Sequence, residues 1–381
     1  MKNIVVVFGG RAVEHEVSVI TGMQAIENLD KEKYNVIPVF IDKEGKMFTG
    51  ECYKTFKSFK EDTFEDKKPC RFGTGFGDTN LYIVNKGLFK KDEEINVDCV
   101  LFALHGSHGE DGALQGLFET NGIPYTGPGV MSSAVGMDKI IMKDVYKSHN
   151  IPVVKYTWTF RDHYKVQPNE TLDYVINTLK FPIYVKPASL GSSIGIKVAH
   201  NKEELRDATE VAIQFDRKVI FEEGVENAEE YNVAVMGKNG DVEVSSVEKP
   251  LGVYEIFSYE DKYMSKSGKS KINGGSHYFV RDEEFAYKAK ELAKYAFNVL
   301  DVRGNARIDL LVDKEGNMYV NEINTLPGSF AFYLWEDIGY TFSSVLDRMI
   351  EIALSAKEED NNTNYRFDSN LYQNSGYGSK L

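Results

Sequence analysis

The stretch RIDLLVDKEGNMYVNEIN, residues 307–324, contains two apolar-rich runs on either side of a polar turn that includes Gly316. Apolar runs that flank a short, glycine-containing turn are typical of a β-hairpin. A four-residue loop at 314–317 would make Asp313 and Met318 the first pair of facing residues. The two strands then run outward from that pair in a fixed register.

Counting outward from that pair places two carboxylates and an amide on one face of the hairpin. Glu322 lies opposite Asp309 and Asn324 opposite Arg307, and side chains two residues apart on a strand point the same way. Like charges that face each other across a sheet repel unless a cation lies between them. Oxygen ligands suit Mg²⁺, whereas a solvated charged face would not need the apolar residues between these positions. The hairpin therefore predicts a magnesium site formed by Asp309, Glu322 and Asn324.

The overall composition is that of an ordinary globular protein. The chain has 381 residues, enough for two or three domains, and its net charge of −13 argues against a nucleic-acid or anionic-membrane binder. The cysteines, Cys52, Cys70 and Cys99, are too widely spaced to indicate a disulfide framework or a zinc site. The first residues lack a signal-peptide core, and no apolar run reaches the ~18 residues needed to span a bilayer. We therefore expect a location in the reducing cytoplasm.

The order of patterns along the chain predicts an α/β fold. Residues 1–127 alternate apolar strands with helices, which is typical of a Rossmann-like domain with a parallel sheet. We divide the rest into a smaller α/β unit at 128–217, a unit at 218–356 that contains the hairpin, and a polar tail at 357–381. The stretch 51–80 has no clear periodicity and is interpreted as a loop or an irregular insertion.

Two segments of the middle units suggest a nucleotide site. The loop KPASLGSSIG, residues 186–195, follows a strand, so its backbone N–H groups and the charge of Lys186 can meet phosphate oxygens. Such a loop alone is weak evidence, because many glycine-rich loops are simply turns. The next strand runs into an acidic connection, where the backbone can bond an adenine edge and a carboxylate of Glu222, Glu223 or Glu230 can accept from ribose hydroxyls. A solvated loop is an equally good interpretation of that connection.

A polar stretch and a motif near the first helix are candidates for the substrate cleft. The stretch 251–276, which contains Lys262 and Tyr263, is interpreted as a mobile lid or a disordered insertion. The motif EHEVS joins the first strand to the first helix, where Ser18 can cap the helix and Glu16 can meet a ligand's ammonium group.

The loop HGSHGEDG, residues 105–112, has the composition of a transition-metal cluster, with two histidines and two carboxylates at short spacing. Its three glycines make it a flexible turn, however, and no further ligands flank it. A structural loop beside the substrate cleft is therefore the favoured interpretation.

Together these segments resemble the D-alanine–D-alanine ligases of the ATP-grasp superfamily, over essentially residues 1–355. The matching motifs occur in the family's order: FGGR with EHEVS (8–18), ALHGSHGEDGALQG (103–116), GIPYTG (122–127), MDK (137–139), KP with GSSIG (186–195), DKY (261–263) and NEINTLPG (321–328). The resemblance implies a three-domain ATP-grasp architecture, with ATP held between two sheets and the amino acids in the central cleft.

The resemblance also implies a role for each matched residue. For ATP, these are Lys139 and Lys186 at the phosphates, Lys262 at the γ-phosphate, Glu222 at the adenine and Glu230 at the ribose. Two Mg²⁺ ions, for which Mn²⁺ can substitute, would be held by Asp309, Glu322 and Asn324. The first ammonium group would be oriented by Glu16, in a hydrogen-bonded triad with Ser192 and Tyr263. The oxyanion would be stabilised by Arg307 and the backbone around Gly328.

Two departures from the family pattern concern the second amino acid. After Gly328 the family usually has a Thr/Ser-rich stretch with a serine for the second carboxylate, whereas this chain has the aromatic sequence SFAFYLW at 329–335. The Pro-Ala pair that usually follows the lid is also missing from 265–281. We therefore predict that Ser329 or its neighbouring amides hold that carboxylate and that aromatic residues such as Phe332 set the size of the pocket.

The predicted activity is that of an ATP-dependent D-alanine–D-alanine ligase, which supplies peptidoglycan precursors through an acyl-phosphate intermediate. A ligase that joins D-alanine to D-serine, D-lactate or another amino acid is the main alternative. A non-catalytic nucleotide-binding protein is a further alternative, which the intact site residues disfavour. The expected partners are D-amino acids and ATP, without nucleic acid or membrane, and a homodimer is the assembly considered.

Overall fold

The computed structural model describes residues 1–85, 91–250 and 277–365 together with 367 and 369. Three sheets, each with its own helices, follow one another along the chain. Among the described residues, no helix combines the length and the apolar character needed to cross a membrane. The predicted lid at 251–276 lies outside the described residues, so the roles of Lys262 and Tyr263 stay predictions.

The first unit contains a seven-stranded sheet and three helices. The strands are β1 (Lys2–Gly9), β2 (Tyr34–Ile41), β3 (Met47–Thr49), β4 (Lys68–Phe72), β5 (Asn80–Ile83), β6 (Glu93–Asn96) and β7 (Cys99–Phe102), and the helices are α1 (His15–Asn28), α2 (Phe56–Glu61) and α3 (Ala113–Asn121). Their order across the sheet is β6-β5-β4-β3-β2-β1-β7. The predicted parallel pairing is confirmed for β1 with β2 and β7, whereas β3 to β6 pair antiparallel and extend the sheet to one edge.

The stretch 51–80 is not an irregular insertion, because most of it is built into this unit. Strand β4 buries Cys70 and Phe72 and pairs antiparallel with β3 and β5. Tyr53 is fully buried and stacks on Phe40 with ring centroids 5.1 Å apart. Elements this short are stabilised by contacts with neighbouring strands, so their own periodicity was too brief to predict them.

Helix α1 begins at His15, so the prediction that Ser18 caps it is wrong. The Ser18 side chain is instead buried inside the first turns of the helix. Its Oγ accepts from Gly9 N–H at 2.8 Å and donates to Ala103 O at 2.6 Å. Ser18 therefore ties α1 to the ends of β1 and β7, which fixes the loop that precedes the helix.

The second unit contains a four-stranded antiparallel sheet in the order β10-β9-β11-β8, where the strands are β8 (Tyr156–Phe160), β9 (Ile183–Pro187), β10 (Lys197–Ala199) and β11 (Lys218–Glu223). Its helices are α4 (Val130–Met137), α5 (Lys139–Ser148), α6 (Arg161–Val166), α7 (Pro168–Thr178) and α8 (Lys202–Phe215). Strand β11 pairs with β8 and β9. The predicted boundary at 217 therefore falls before the last strand of this sheet.

The third unit contains a five-stranded antiparallel sheet in the order β14-β13-β12-β15-β16, where the strands are β12 (Glu229–Lys238), β13 (Asp241–Lys249), β14 (Tyr278–Phe279), β15 (Gly304–Val312) and β16 (Met318–Asn324). Its helices are α9 (Glu283–Val299), α10 (Phe332–Glu336) and α11 (Phe342–Asn361). Helix α9 packs Ala293 and Phe297 against one face of the sheet. Helix α11 extends to Asn361, so the first residues of the predicted polar tail are helical.

Helices α10 and α11 join the third unit to the first. Trp335 of α10 and Leu346 of α11 lie in one buried cluster with Phe8 of β1 and Met23 of α1. This shared core holds the segment after β16 against α1. It thereby brings the hairpin of the third unit to the carboxyl ends of the first unit's parallel strands, where ligands bind in open α/β sheets.

Candidate active site at the junction of the three units

The predicted hairpin is confirmed as β15 and β16, and so are its two key pairs. Glu322 faces Asp309, and Asn324 faces Arg307. All four residues are partly buried. They lie on the face opposite to α9, because the residues between them, such as Ile308, pack in the core beneath that helix.

A β-bulge at Asn321 produces this register. The strands close with Val312 facing Met318, one position away from the predicted closing pair, and the shift is absorbed before the polar pairs. Because Val320 points into the core, strict alternation would send Glu322 into the core as well. The extra residue Asn321 turns Glu322 to the polar face instead. The two predicted polar pairs are thus correct. The predicted closing pair is not, because Met318 faces Val312 instead of Asp313.

Asp309 accepts from two side chains of the same face. The Arg307 guanidinium donates through Nε to Oδ1 at 2.6 Å and through Nη2 to Oδ2 at 2.8 Å, and Asn324 Nδ2 donates to Oδ2 at 2.9 Å. Burial lowers the pKa of Arg307, but the charge of Asp309 outweighs burial and the pKa lies above its ordinary value. The face therefore combines a fixed positive charge with carboxylate and amide oxygens.

Lysines of the second unit reach this face from across the cleft. Lys139 Nζ lies 3.2 Å from Glu322 Oε2. Lys186 Nζ lies 2.5 Å from Glu222 Oε2, and Lys143 Nζ lies 3.0 Å from Glu222 Oε1. Three ammonium groups are thus gathered between the second and third sheets, where a polyphosphate would be attracted.

Lys143 is a site residue that the sequence reasoning missed. The Lys143 side chain is 0% exposed and that of Glu222 is 3% exposed. Lys143 Nζ also donates to the backbone oxygen of Asn321, the bulge residue, at 2.9 Å. Burial raises the pKa of Glu222, but the charges of Lys143 and Lys186 outweigh burial and lower it to about 2. The available signal was spacing, because Lys139 and Lys143 are four residues apart on α5 and so share one face.

The donors at the hairpin fit a hard divalent cation. Among the described residues, no group of three or more His, Cys, Asp and Glu side chains could hold a metal ion. The candidate ligands are therefore the two facing carboxylates, Asp309 and Glu322, with the amide oxygen of Asn324. Such a set suits Mg²⁺, which completes its shell with water and substrate phosphates.

His105, in the loop at 105–112, is hydrogen-bonded through both ring nitrogens. Nδ1 contacts Leu326 O at 3.0 Å, and Nε2 contacts Thr21 Oγ1 at 2.9 Å. A carbonyl can only accept, so Nδ1 carries the proton and Nε2 accepts from the Thr21 hydroxyl. Burial lowers the pKa of His105 to about 4, so the ring is neutral at pH 7. Both nitrogens being engaged supports the structural interpretation of this loop.

The same hydrogen-bond chain holds the turn that follows β16. Thr21 Oγ1 accepts from Ser329 N–H at 3.3 Å, and Asn305 Nδ2 donates to Phe330 O at 2.6 Å. Residues 329–331 are left-handed, with φ of 50°, 58° and 48°, which is disfavoured for residues with a side chain. The turn is therefore strained and held in place by side chains of the first and third units.

The aromatic residues after this turn differ in their surroundings. Phe332 stacks on Phe342 with ring centroids 4.4 Å apart and packs against the shared core. Trp335 is fully buried and donates from Nε1 to Asn305 Oδ1 at 3.1 Å. Packing accounts for both side chains, so a role for Phe332 in a substrate pocket stays a prediction.

The predicted contact between Glu16 and Ser192 is wrong, because Glu14 takes that place. The Ser192 hydroxyl donates to Glu14 Oε1, and a Cβ on Gly191 would lie 2.8 Å from the same oxygen. Glu14 is 6% exposed, whereas the Glu16 side chain is 58% exposed and pairs with Lys43 at 2.5 Å. Residues two apart at a helix start point in different directions, so only one of the two glutamates faces the loop.

Glu110, in the loop at 105–112, lies near Glu14 and is a second residue that was not predicted for the substrate site. Its Oε2 accepts from Gly106 N–H at 2.6 Å. Burial raises the pKa of Glu110 to about 8, and the negative charge of Glu14 contributes further. Two neighbouring carboxylates in a low-dielectric site are suited to receive a cationic group.

The other acidic candidates separate onto different faces. Glu223 lies on the opposite face of β11 from Glu222, and its Oε2 accepts from Lys180 N–H at 2.9 Å. The structure therefore does not bring the Glu223 carboxylate to the lysines. Glu230 lies on β12, two positions from the residue that pairs with Asp309, and so shares the polar face.

Family models match both parts of the chain. The model "D-ala D-ala ligase N-terminus" matches residues 3–128, and "D-ala D-ala ligase C-terminus" matches residues 145–351. A D-alanine--D-alanine ligase of Thermosipho africanus (strain TCF52B) is 39% identical over 98% of this chain and 98% of that one. This chain belongs to the D-alanine–D-alanine ligase family.

Solved structures resemble the D-alanine–D-alanine ligase fold of this chain. VanG D-Ala:D-Ser ligase from Enterococcus faecalis matches with a TM-score of 0.78 and 30% identity, over 92% of this chain and 99% of that one. The D-alanine-D-alanine ligase from Coxiella burnetii matches with a TM-score of 0.74 and 27% identity, over 95% of this chain and 97% of that one. The predicted α/β fold class, a three-domain ATP-grasp architecture, is confirmed.

Proposed function

We propose that this member of the family is an ADP-forming ligase that joins two D-alanine molecules for peptidoglycan synthesis. The observation that carries the proposal is the meeting of Asp309 and Glu322 with Lys139 and Arg307 at the junction of the units. Carboxylates for a metal ion, ammonium groups for phosphates and a guanidinium for an oxyanion are the parts that phosphoryl transfer to a carboxylate requires.

ATP would lie between the second and third sheets. In the proposed arrangement Lys139 and Lys186 contact phosphates, Glu222 contacts the adenine and Glu230 contacts the ribose. Because Glu222 already neutralises Lys186 at 2.5 Å, it also orients that lysine. Lys143, fully buried beside Glu222, is placed to hold this pair rather than to touch the nucleotide.

Asp309, Glu322 and Asn324 would hold two Mg²⁺ ions, or Mn²⁺ in their place. Bound there, the ions would neutralise phosphate charge and help to position the phosphates for transfer. Without them Arg307 and Lys139 balance the two carboxylates. When a metal ion binds these carboxylates, the Lys139 and Arg307 side chains would become available to contact phosphate or an oxyanion.

The first D-alanine would place its ammonium group against Glu14 and Glu110. The Ser192 contact with Glu14 links the glycine-serine loop to this end of the cleft. A carboxylate oxygen of the first D-alanine then attacks the γ-phosphorus of ATP, and ADP leaves. The neutral amine of the second D-alanine attacks the resulting acyl phosphate and loses a proton, and inorganic phosphate leaves. Arg307 and the backbone around Gly328 would stabilise the oxyanion of that step.

A second candidate is a ligase that joins D-alanine to D-serine or D-lactate. It is favoured by the match to the VanG D-Ala:D-Ser ligase structure and by the aromatic sequence at 329–335. Either enzyme would act in the cytoplasm, where ATP is available. A homodimer is the proposed assembly, to be tested by sedimentation.

Phosphate release in the presence of ATP and Mg²⁺ tests the proposal. D-alanine alone should support turnover and give the dipeptide, identified by mass spectrometry. Turnover that requires added D-serine or D-lactate would favour the second candidate. Absence of phosphate release with every pair, in a protein that still binds ATP, would contradict both.

A further inference from the structure

A row of polar side chains crosses the third sheet from the hairpin toward β14. Paired residues on neighbouring strands share a face of the sheet, and the row consists of Glu322 on β16, Asp309 on β15, Asn232 on β12 and Glu248 on β13. Asn232 Nδ2 donates to Glu248 Oε2 at 3.1 Å, so these two side chains point the same way. Neighbouring strands are about 4.8 Å apart, which places Glu248 about 10 Å from Asp309 along the polar face.

His277 lies on the far end of this row. Its Nδ1 contacts Glu248 Oε1 at 2.5 Å, and an ionised carboxylate can only accept, so Nδ1 carries a proton. Glu248 is buried, whereas the His277 side chain is 32% exposed. The buried carboxylate therefore orients the ring, and the other nitrogen, Nε2, lies on the edge of the ring that faces away from Glu248.

The segment that follows Gly328 also contacts His277. Tyr333 stacks on the imidazole with ring centroids 4.4 Å apart and an interplanar angle of 15°. This segment is the one predicted to border the second amino acid, because the chain departs from the family pattern there. A hydrogen bond and a stacking contact thus hold His277 between the polar face of the sheet and the predicted acceptor side of the cleft.

An imidazole in this position can donate to a ligand carboxylate. When both ring nitrogens are protonated both are donors, so Nδ1 can bond Glu248 while Nε2 bonds a second acceptor. A carboxylate at each edge of the ring favours that charged form. In the part of the chain that the structure describes, the hydrogen bond of the His277 ring is the one from Nδ1 to Glu248. The distance from Asp309 to Glu248 leaves room for one small amino acid between the metal ligands and the imidazole.

We propose that His277 Nε2–H, with the ring oriented by Glu248, donates to the α-carboxylate of the second amino acid. The inference rests on the proposed function and adds a binding residue to its acceptor site. The Ser329 hydroxyl or its neighbouring amides can bond the other oxygen of the same carboxylate. A hydrogen bond between two charged groups is about twice as strong as one between neutral groups. His277 should therefore select acceptors with a free carboxylate over acceptors in which that group is neutral.

A competition between D-alanine and D-alaninamide as acceptors tests the proposal. D-alaninamide has no carboxylate to phosphorylate, so it can occupy only the acceptor position. Both acceptors consume the same acyl phosphate, so the ratio of the two products measures their relative kcat/KM, and any change at the ATP site or the first amino-acid site cancels. His277→Asn should lower the ratio of the dipeptide to its amide by about 10- to 100-fold, the effect of losing a hydrogen bond to a charged group.

Two variants separate the role of Nε2 from packing. His277→Asn keeps an N–H that can reach Glu248, and His277→Phe keeps a ring that can stack on Tyr333. Both lack Nε2, so both should lower the product ratio. The matched control is His149→Asn, because the His149 ring bonds Val145 O at the exposed end of its own helix, and it should leave the ratio unchanged.

The outcomes distinguish this inference from the function on which it rests. A product ratio that either His277 variant leaves unaltered would overturn the proposal, because the two variants share only the loss of Nε2. Failure of the wild type to ligate any pair would instead contradict the proposed function.

Discussion

Replacing Lys143 by methionine tests the buried charge cluster that joins the second and third units. Methionine keeps most of the length of lysine but removes its charge and its three donors. The change breaks the ion pair with Glu222 at 3.0 Å and the hydrogen bond to Asn321 O at 2.9 Å. We expect a loss of stability together with weaker metal binding, because Asn321 is the bulge residue that turns Glu322 to the polar face.

Two considerations set the magnitude of the stability change at about 3 kcal/mol. Removing one partner of a buried ion pair typically costs about 3–5 kcal/mol. Burial raises the pKa of Glu222, but Lys143 and Lys186 lower it from 4.5 to about 2, and this net shift corresponds to roughly 3 kcal/mol after the opposing effect of burial. Lys143 supplies part of that and also a hydrogen bond to the bulge worth about 1–2 kcal/mol.

The pH dependence of the effect has a definite sign. A carboxylate whose folded pKa is lowered contributes stability above its unfolded pKa, and that stability is lost as pH falls through the folded pKa. The contribution of the Glu222 cluster is therefore complete above about pH 4.5 and disappears toward pH 2. The difference between wild type and Lys143→Met should be largest near neutral pH and should shrink in acid.

Urea unfolding at pH 7 measures the effect for Lys143→Met, Glu222→Gln and the double variant. The double variant should be more stable than the sum of the two single losses predicts, because it leaves only Lys186 without the Glu222 carboxylate, whereas Glu222→Gln alone leaves both lysines without it. Mn²⁺ binding, followed by electron paramagnetic resonance in the presence of ADP, reports on the metal site independently of turnover. Unfolding of Lys143→Met within about 1 kcal/mol of the wild type would refute the reasoning.

Three further predictions concern individual carboxylates. Glu322→Gln should keep the fold and lower turnover by at least about 10²-fold, because it removes a charge from the metal site; near-normal turnover at ordinary Mg²⁺ concentrations would rule out this ligand. Glu14→Gln should raise the first-site Michaelis constant by about 10-fold or more, while the exposed control Glu16→Gln should change it by less than about twofold. Steady-state kinetics with varied D-alanine measures both constants, and a larger increase in Glu16→Gln than in Glu14→Gln would contradict the assignment. Because the folded pKa of Glu110 is raised to about 8, the folded state keeps a proton that the unfolded chain loses near pH 4.5, so stability should fall as pH rises between these values. In Glu110→Gln the melting temperature should depend less on pH across that range. An unchanged pH dependence would mean that another group causes it.

The sequence by itself determined what depends on spacing along one strand or within one motif. Asp309, Glu322, Asn324 and Arg307 could be placed on one face because side chains alternate with a period of two. The parallel pairing of β1 with its neighbours followed from buried apolar runs separated by helical patterns. The family's motifs, which occur in order along the chain, indicated the three-domain fold before any distance was known.

Only the tertiary structure decided which of several equivalent residues faces the site. Glu14 and Glu16 have the same chemistry, and the direction in which α1 leaves β1 places Glu14 against Ser192 and leaves Glu16 to Lys43. Lys143 looked like an ordinary helix residue, and it became part of the site because α5 packs against a bulge nearly 180 residues further along the chain.

The bulge itself could not be predicted, because a single extra residue changes no composition or periodicity that a short strand can show. The strained turn at 329–331 likewise depends on Thr21 and Asn305, which lie far apart in the sequence. Local spacing therefore determined the chemistry that the chain carries. Long-range packing decided where that chemistry meets, because burial and charge pairing act between residues that the sequence separates.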